Sequence, residues 1–364
     1  METVHGGNLQ ILAPHYGYNL NETIDFSANL NPFGPPYLAL DLLSHAVKEI
    51  SHYPDPEYRK LKSSLSAWEK VREGEITVAN GVSELISWIP RLKQNIKTLI
   101  LAPTFTEYEK SINSAFGLVH LKFALEEDLF QHSFEIEEWG DWDFNLVFIS
   151  NPNNPTGNLY DRKKLEKWIE FYLKRSPETL FVCDESFLPF VNGGRNCSLN
   201  SFAVKRPGVI VLHSLTKLFS VPGLRLGTAV AHQKTIQKIE SLLPTWRVNS
   251  LAQKFGESLL EYADFVEDSI QNIDLNRNEL VQKIMDLRGV KVFPAFANFI
   301  LIRLPQNISA KLLTEFLAKK GLFIRLCNDF KGLEKDRFIR LAVRKKEENE
   351  ILIEGFKEYL SYAG

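Results

Sequence analysis

The chain has 364 residues, of which 44% are hydrophobic and 24% charged, and a net charge of -2. That length exceeds one comfortable core and sets an expectation of two domains. A charge so near zero excludes a field for nucleic acid or an anionic membrane surface. Cys183, Cys197 and Cys327 lack CxxC or paired spacing, so they read as reduced thiols; neither a disulfide framework nor a metal site is expected. The start, Met1-Glu-Thr-Val-His5, has no basic and apolar leader pattern, and no apolar run reaches the ~20 residues that span a bilayer. A soluble cytoplasmic protein is therefore expected.

Residues 1–40 are rich in Gly, Asn and Pro (His5-Gly-Gly-Asn8, then Asp25-Phe-Ser-Ala-Asn29-Leu-Asn31-Pro) and read as an extended arm joining a smaller domain. Over 41–248, short apolar strands alternate with amphipathic helices, the pattern of an α/β domain around a mainly parallel sheet. In the helix expected from Asp161 to Leu173, Leu165, Trp168, Ile169 and Tyr172 fall on one face and Asp161 suits the N-cap. Over 249–364 the rhythm changes. A long helical stretch to about 287 leads to strands at 291–293, 298–304, 322–326 and 338–343. A helix over 309–320 ends at Gly321, and a last helix over 346–361 is expected to bury Ile351, Leu352, Phe356 and Tyr359. This smaller α+β domain would leave a ligand crevice against the larger one.

Three strands each deliver a polar group. Leu146-Val-Phe-Ile leads into Ser150-Asn-Pro-Asn-Asn154-Pro-Thr-Gly157, whose turn chemistry aims Asn154 inward; Leu180-Phe-Val-Cys leads to Asp184; Val209 to Leu212 leads to Ser214, Thr216 and Lys217, with Arg225 eight residues on. In open α/β sheets the ligand lies beyond the carboxyl ends of strands, so these side chains can converge there. Pyridoxal phosphate needs this set: a lysine for the aldehyde, a carboxylate to keep the pyridine nitrogen protonated, and an amide for the ring hydroxyl. A lysine in that role must lose its proton, which desolvation and a nearby cation assist. Catalytic roles are thus expected of Lys217 and Asp184. The amides of Val82 and Ser83 open a helix after the strand at 76–79, and with Ser214, Thr216 and Arg225 they suit a phosphate.

On these motifs the chain resembles the fold-type I pyridoxal-phosphate enzymes of the aminotransferase superfamily. The resemblance implies a seven-stranded, mainly parallel large-domain sheet and pyridoxal 5'-phosphate as cofactor. It also implies a stacking role for Phe105, with Tyr108 the local competitor, and a homodimer in which Tyr53 reaches the neighbouring subunit's phosphate site. Phe187 stands where histidinol-phosphate aminotransferases often have tyrosine, leaving Asn154 to act more nearly alone on the ring hydroxyl.

Arg325 and Arg340 sit on expected strands, where buried charge calls for anions; two of them suit a substrate with a carboxylate and a phosphate. A salt bridge to an acidic helix is the competing use. From residue 5 to about 344 the chain is similar to the threonine-phosphate decarboxylases of cobalamin biosynthesis. The matching stretches include His5-Gly6-Gly7-Asn8, the Asp25 to Asn29 run, Tyr53-Pro-Asp-Pro, Trp246-Arg-Val-Asn249 and Arg325-Leu-Cys-Asn. That similarity implies substrate contacts from His5, Gly6, Asn29, Asn154, Arg325 and Arg340, and decarboxylation of a small phosphorylated amino acid. The departures are the NGVSE phosphate turn and His213, which stands where arginine is common. A histidinol-phosphate-type aminotransferase would keep the same cofactor residues and remains the alternative; a non-enzymatic sensor lacks an output module.

Overall fold

A computed structural model describes residues 6–139 and 143–363. The runs Leu146–Ser150 (β5), Leu180–Asp184 (β6), Val209–Ser214 (β7) and Leu226–Ala231 (β8) are buried at every position, because helices cover both faces of their sheet. Ile76–Asn80 (β2), Lys97–Ala102 (β3) and Leu118–Phe123 (β4) complete seven strands in the order β2-β8-β7-β6-β5-β3-β4. β4, at one edge, is largely exposed and carries His120 and Lys122, which discourage further strand pairing. Trp168 is fully buried on the helix Arg162–Arg175 together with Leu165, Ile169 and Tyr172, and Asp161 Oδ1 caps that helix at the Lys164 amide, 2.8 Å away.

Strand direction places the site. β3, β5, β6 and β7 run parallel, while β8 is antiparallel to both β7 and β2. The carboxyl ends of β2, β3, β5, β6 and β7 therefore share one edge with the amino end of β8. That reversal brings Arg225, just before β8, to the edge where Asp184 and Ser214 end their strands.

A second, antiparallel sheet has the order β12-β13-β10-β9, from Lys291–Val292 (β9), Phe299–Arg303 (β10), Arg325–Leu326 (β12) and Phe338–Ala342 (β13). The expected single strand over 322–326 is two. Leu322–Phe323 (β11) pairs in parallel with Ile24–Asp25 (β1) of the arm, whereas β12 turns to β13. The arm continues past β1, with Phe26 accepting from the Ala342 amide at 2.8 Å, and crosses to the large sheet at Asn31. The long helical stretch is Ser250–Glu257, a 3-10 turn and Ala263–Met285. In the last helix, Lys346–Ala363, Leu352 and Phe356 are buried as expected, but Ile351 faces solvent and Ile353 takes the inward position. Among the described residues no helix is long and apolar enough to cross a membrane.

Candidate active site

Asp184 ends β6 almost fully buried, and its two oxygens are held separately. Oδ1 accepts from the Ser186 amide at 2.9 Å, and Oδ2 accepts from the Tyr108 hydroxyl at 2.7 Å. Tyr108 is stacked on Phe148 and buried; burial first, then the Asp184 charge, pushes its hydroxyl well above the usual range, so it stays a neutral donor. Tyr108 is thus committed to Asp184, and Phe105 is partly exposed and edge-on to it at 5.6 Å. Sequence reading missed Tyr108's role; a hydroxylated aromatic on a helix following a strand end was its only signal.

Lys217 lies on the short helical turn after β7, with Nζ 3.2 Å from Ser214 Oγ and 5.2 Å above the Phe187 ring. Burial is the main cause of a pKa below the usual lysine value; Arg225 and Arg340 add to it, against the pull of Asp184. Asn31 pins this turn: its amide donates to the Lys217 carbonyl at 3.0 Å and its Nδ2 to the Leu218 carbonyl at 2.8 Å. An Asn-Pro pair reads as a turn, which hides this long-range clamp.

Ser214 Oγ and Thr216 Oγ1 are 3.0 Å apart, and Arg225 Nη2 donates to Ser83 Oγ at 3.4 Å. Two glycines make the neighbouring space. Gly81 has φ of +77°, and a Cβ there would lie 2.7 Å from Arg225 Nη2. A Cβ on Gly227 would lie 2.5 Å from the Val82 amide nitrogen. The first amides of the helix Val82–Trp88 and the Arg225 guanidinium therefore face one small cradle suited to an anion.

Within the Asn-Pro-Asn-Asn loop the labour divides. Asn153 braces the turn, bonding the Pro103 carbonyl at 2.8 Å and Thr104 at 2.7 Å. Asn154 instead accepts from Arg340 Nη1 at 2.5 Å, which leaves its NH2 group as the end free to donate. Arg340 Nη2 donates to the Ser27 carbonyl at 2.7 Å, and its Nε has no hydrogen-bond partner among the described residues. Burial, with Arg325 beside it, lowers Arg340 to about 10. Arg325 is directly opposite Arg340 in the β12–β13 register and is bound by Asp329 through both carboxylate oxygens, at 2.7 and 2.6 Å. The acid that meets Arg325 is thus a turn residue, where a helix was the expected source.

Asn29 is buried with both amide atoms unpartnered among the described residues, an arrangement that costs ~1–3 kcal/mol per atom unless a further group satisfies it. Gly6 lies on the same arm segment, where a Cβ would fall 2.0 Å from the Ser27 carbonyl oxygen. His5 lies outside the described residues. Tyr53 is 83% exposed, its ring 4.8 Å from Trp246, and among the described residues it joins none of the cluster's hydrogen bonds. Behind the site, on the far side of β7, His213 Nε2 meets Asn200 Oδ1 at 2.8 Å and lies 3.6 Å from Glu69 and 4.0 Å from the buried Glu185.

Residues 21–356 match the model of the family described as aminotransferase class I and II. The chain belongs to that family. Its enzymes depend on pyridoxal phosphate. The donors fit that group in kind: the first amides of the helix at Val82 and the Arg225 guanidinium by Gly81 suit its phosphate, and Lys217, Asp184 and the Asn154 NH2 suit its aldehyde, ring nitrogen and ring hydroxyl. The chain is 35% identical over 97% of its length to the adenosylcobalamin biosynthesis bifunctional protein CobDQ of Leptospira interrogans, but spans only 40% of that protein. It is 32% identical to a putative threonine-phosphate decarboxylase of Caldanaerobacter subterraneus, over 97% of this chain and 93% of the relative. The crystal structure of histidinol-phosphate aminotransferase from Clostridium acetobutylicum superposes with a TM-score of 0.85 at 28% identity, covering 92% of this chain and 98% of that one.

Proposed function

We propose that this class I and II family member decarboxylates O-phospho-L-threonine to (R)-1-amino-2-propanol O-2-phosphate for cobalamin biosynthesis. The observation that carries the reading is the pair Arg325 and Arg340, opposed on β12 and β13, together with a buried arm residue, Asn29, whose amide has no partner among the described residues. Two buried cations in register repel unless anions meet them, and a phosphorylated amino acid brings one anion for each. Similarity to a relative described as a putative threonine-phosphate decarboxylase supports the choice of substrate.

When bound, pyridoxal phosphate supplies an electron sink for the bond that breaks at Cα. The chain's own residues do the rest. Val82, Ser83, Ser214, Thr216 and Arg225 hold the cofactor phosphate, and Phe105 covers the ring. Asp184, fixed by Tyr108 and Ser186, receives the ring N–H. Arg340 turns Asn154 so that its NH2 donates to the ring hydroxyl, the more needed because Phe187 cannot. Lys217, its proton loosened by burial, would supply the amine that holds the cofactor's aldehyde. Arg340 then grips the substrate carboxylate end, while Arg325, His5, Gly6 and Asn29 take the phosphate. We assign the working form as a cytoplasmic homodimer in which Tyr53 serves the other subunit.

Product analysis with O-phosphothreonine tests this reading. Carbon dioxide and aminopropanol phosphate are the expected products. Transfer of the amino group from histidinol phosphate, with no carbon dioxide released from phosphothreonine, would replace it with the aminotransferase.

A further inference from the structure

Arg325 is not waiting with an open fork. Its Nη2 is bound by both oxygens of Asp329, four residues on, in the turn that leaves β12. The guanidinium is 5% exposed and the carboxylate 24%, so the anion sits on the solvent side of the cation. A second cation, Arg340, stands opposite in register and lies close enough to feel the Arg325 charge, with Asp329 and Asp25 acting against that repulsion. Asp329 also borders a cavity of about 30 Å³ with Thr104, Phe105, Thr106 and Lys331. Lys331 is held there by Glu109 at 2.6 Å. Glu109, Ile100, Ala102 and Leu121 line the same cavity, so a carboxylate leaving Arg325 on that side meets Lys331 as a cation shared with Glu109.

We propose that Asp329 is a carboxylate latch, occupying Arg325 in the empty site and yielding only to a phosphate, and that it determines specificity for phosphorylated over carboxylate-bearing substrates. The inference rests on the phosphate grip assigned to Arg325 above. A substrate carboxylate brings the same charge and fork geometry as Asp329, and competes against a group already tethered beside the arginine; it gains nothing by the exchange. A phosphomonoester carries about -1.5 to -2 at neutral pH and three acceptor oxygens, so it offers Arg325 more charge and more acceptors than Asp329 does. The latch keeps the buried cation paired between turnovers, when an uncompensated charge would destabilise the sheet.

Calorimetric titration of the holoenzyme with inorganic phosphate, and separately with acetate, tests the latch; the bound cofactor already fills the cradle at Gly81. The proteins compared are wild type, Asp329→Asn, Asp329→Ser and Arg325→Lys, each first shown to be folded by its melting curve. Wild type should bind phosphate and not acetate. Both Asp329 variants should bind phosphate about tenfold more tightly or better and acquire acetate binding, because no carboxylate has to be displaced. Arg325→Lys should lose phosphate binding, which locates the site. Unchanged or weaker phosphate binding in both Asp329 variants would overturn the latch and make Asp329 a group that only orients Arg325. If no protein bound phosphate, the latch and the phosphate grip would fall together. Loss of the latch alone would leave the proposed reaction standing.

Discussion

The Tyr108 hydroxyl donates to Asp184 Oδ2 at 2.7 Å from a ring stacked on Phe148. This bond occupies one lobe of the carboxylate from below and fixes the direction in which the other is offered. A hydrogen bond to a charged group contributes ~1.5–3 kcal/mol, so this donor is a substantial part of what holds the carboxylate in place.

Removing that donor should therefore loosen Asp184 without removing it. Tyr108→Phe is expected to retain cofactor while turnover falls about tenfold and the pH dependence of the bound cofactor's absorbance shifts. Spectra and kcat both like wild type would mean that Tyr108 only packs.

Lys217 and Asp184 separate two tasks. Lys217→Ala should abolish the borohydride-trapped lysine adduct, found by peptide mapping, and an adduct on another lysine would undo the site. Asp184→Asn should keep some cofactor but lose most turnover, because an amide cannot balance a protonated ring.

The opposed arginines should divide by substrate. Arg325→Lys is expected to narrow the advantage of phosphothreonine over threonine, since lysine cannot reproduce a planar fork. Arg340→Lys should impair both substrates alike, through its bond to Asn154 as well as the carboxylate. Equal losses on both substrates in both variants would reject the division.

Tyr53 and Trp246 present a tilted aromatic pair to solvent in the single chain, 83% and 46% exposed. If Tyr53 completes the neighbouring subunit's site, sedimentation should show a dimer at assay concentration. Mixing Tyr53→Phe with Lys217→Ala subunits should then yield hybrids whose activity differs from the average of the parents. A fully active monomer would reject shared sites.

Behind the site, burial pushes Glu185 up from 4.5 to about 7, with His213 pulling the other way. Between those values the folded chain keeps a proton that the unfolded chain has released, so this group's contribution to stability falls as pH rises through the window and levels off above it. Thermal melts of Glu185→Gln against wild type should show a flatter profile there. Parallel profiles would mean that Glu185 is ionised throughout.

The large sheet was legible because strands buried on both faces leave uninterrupted apolar runs, and because Asp184, Asn154 and Lys217 each follow such a run directly. Their meeting at one edge needs only strand direction. What stayed hidden depends on pairing partners remote in the chain. Residues 322–326 read as one strand since periodicity does not reveal that Ile24 claims the first half and Arg340's strand the second. Asn31, Asp329 and Tyr108 escaped for the same reason: short polar or aromatic residues in turns and helix starts have common local uses, and only the folded neighbour shows the particular one. Ile351 and Ile353 exchanged places because both fit a helical stripe, and the packed face is set by the element beneath.

The pairing of Ile24 with Leu322 joins points separated by nearly the whole chain. During synthesis the seven-stranded sheet has all its strands once Ala231 has emerged, whereas the arm has no edge to join until β11 leaves the ribosome. The segment bearing Ser27 and Asn29 must wait meanwhile without its partners on β11 and β13, and its polar, Gly- and Asn-rich composition keeps such a waiting segment solvated rather than adhesive. The nascent protein can thus build the cofactor's cradle early, but it closes the substrate end as nearly the last act of folding.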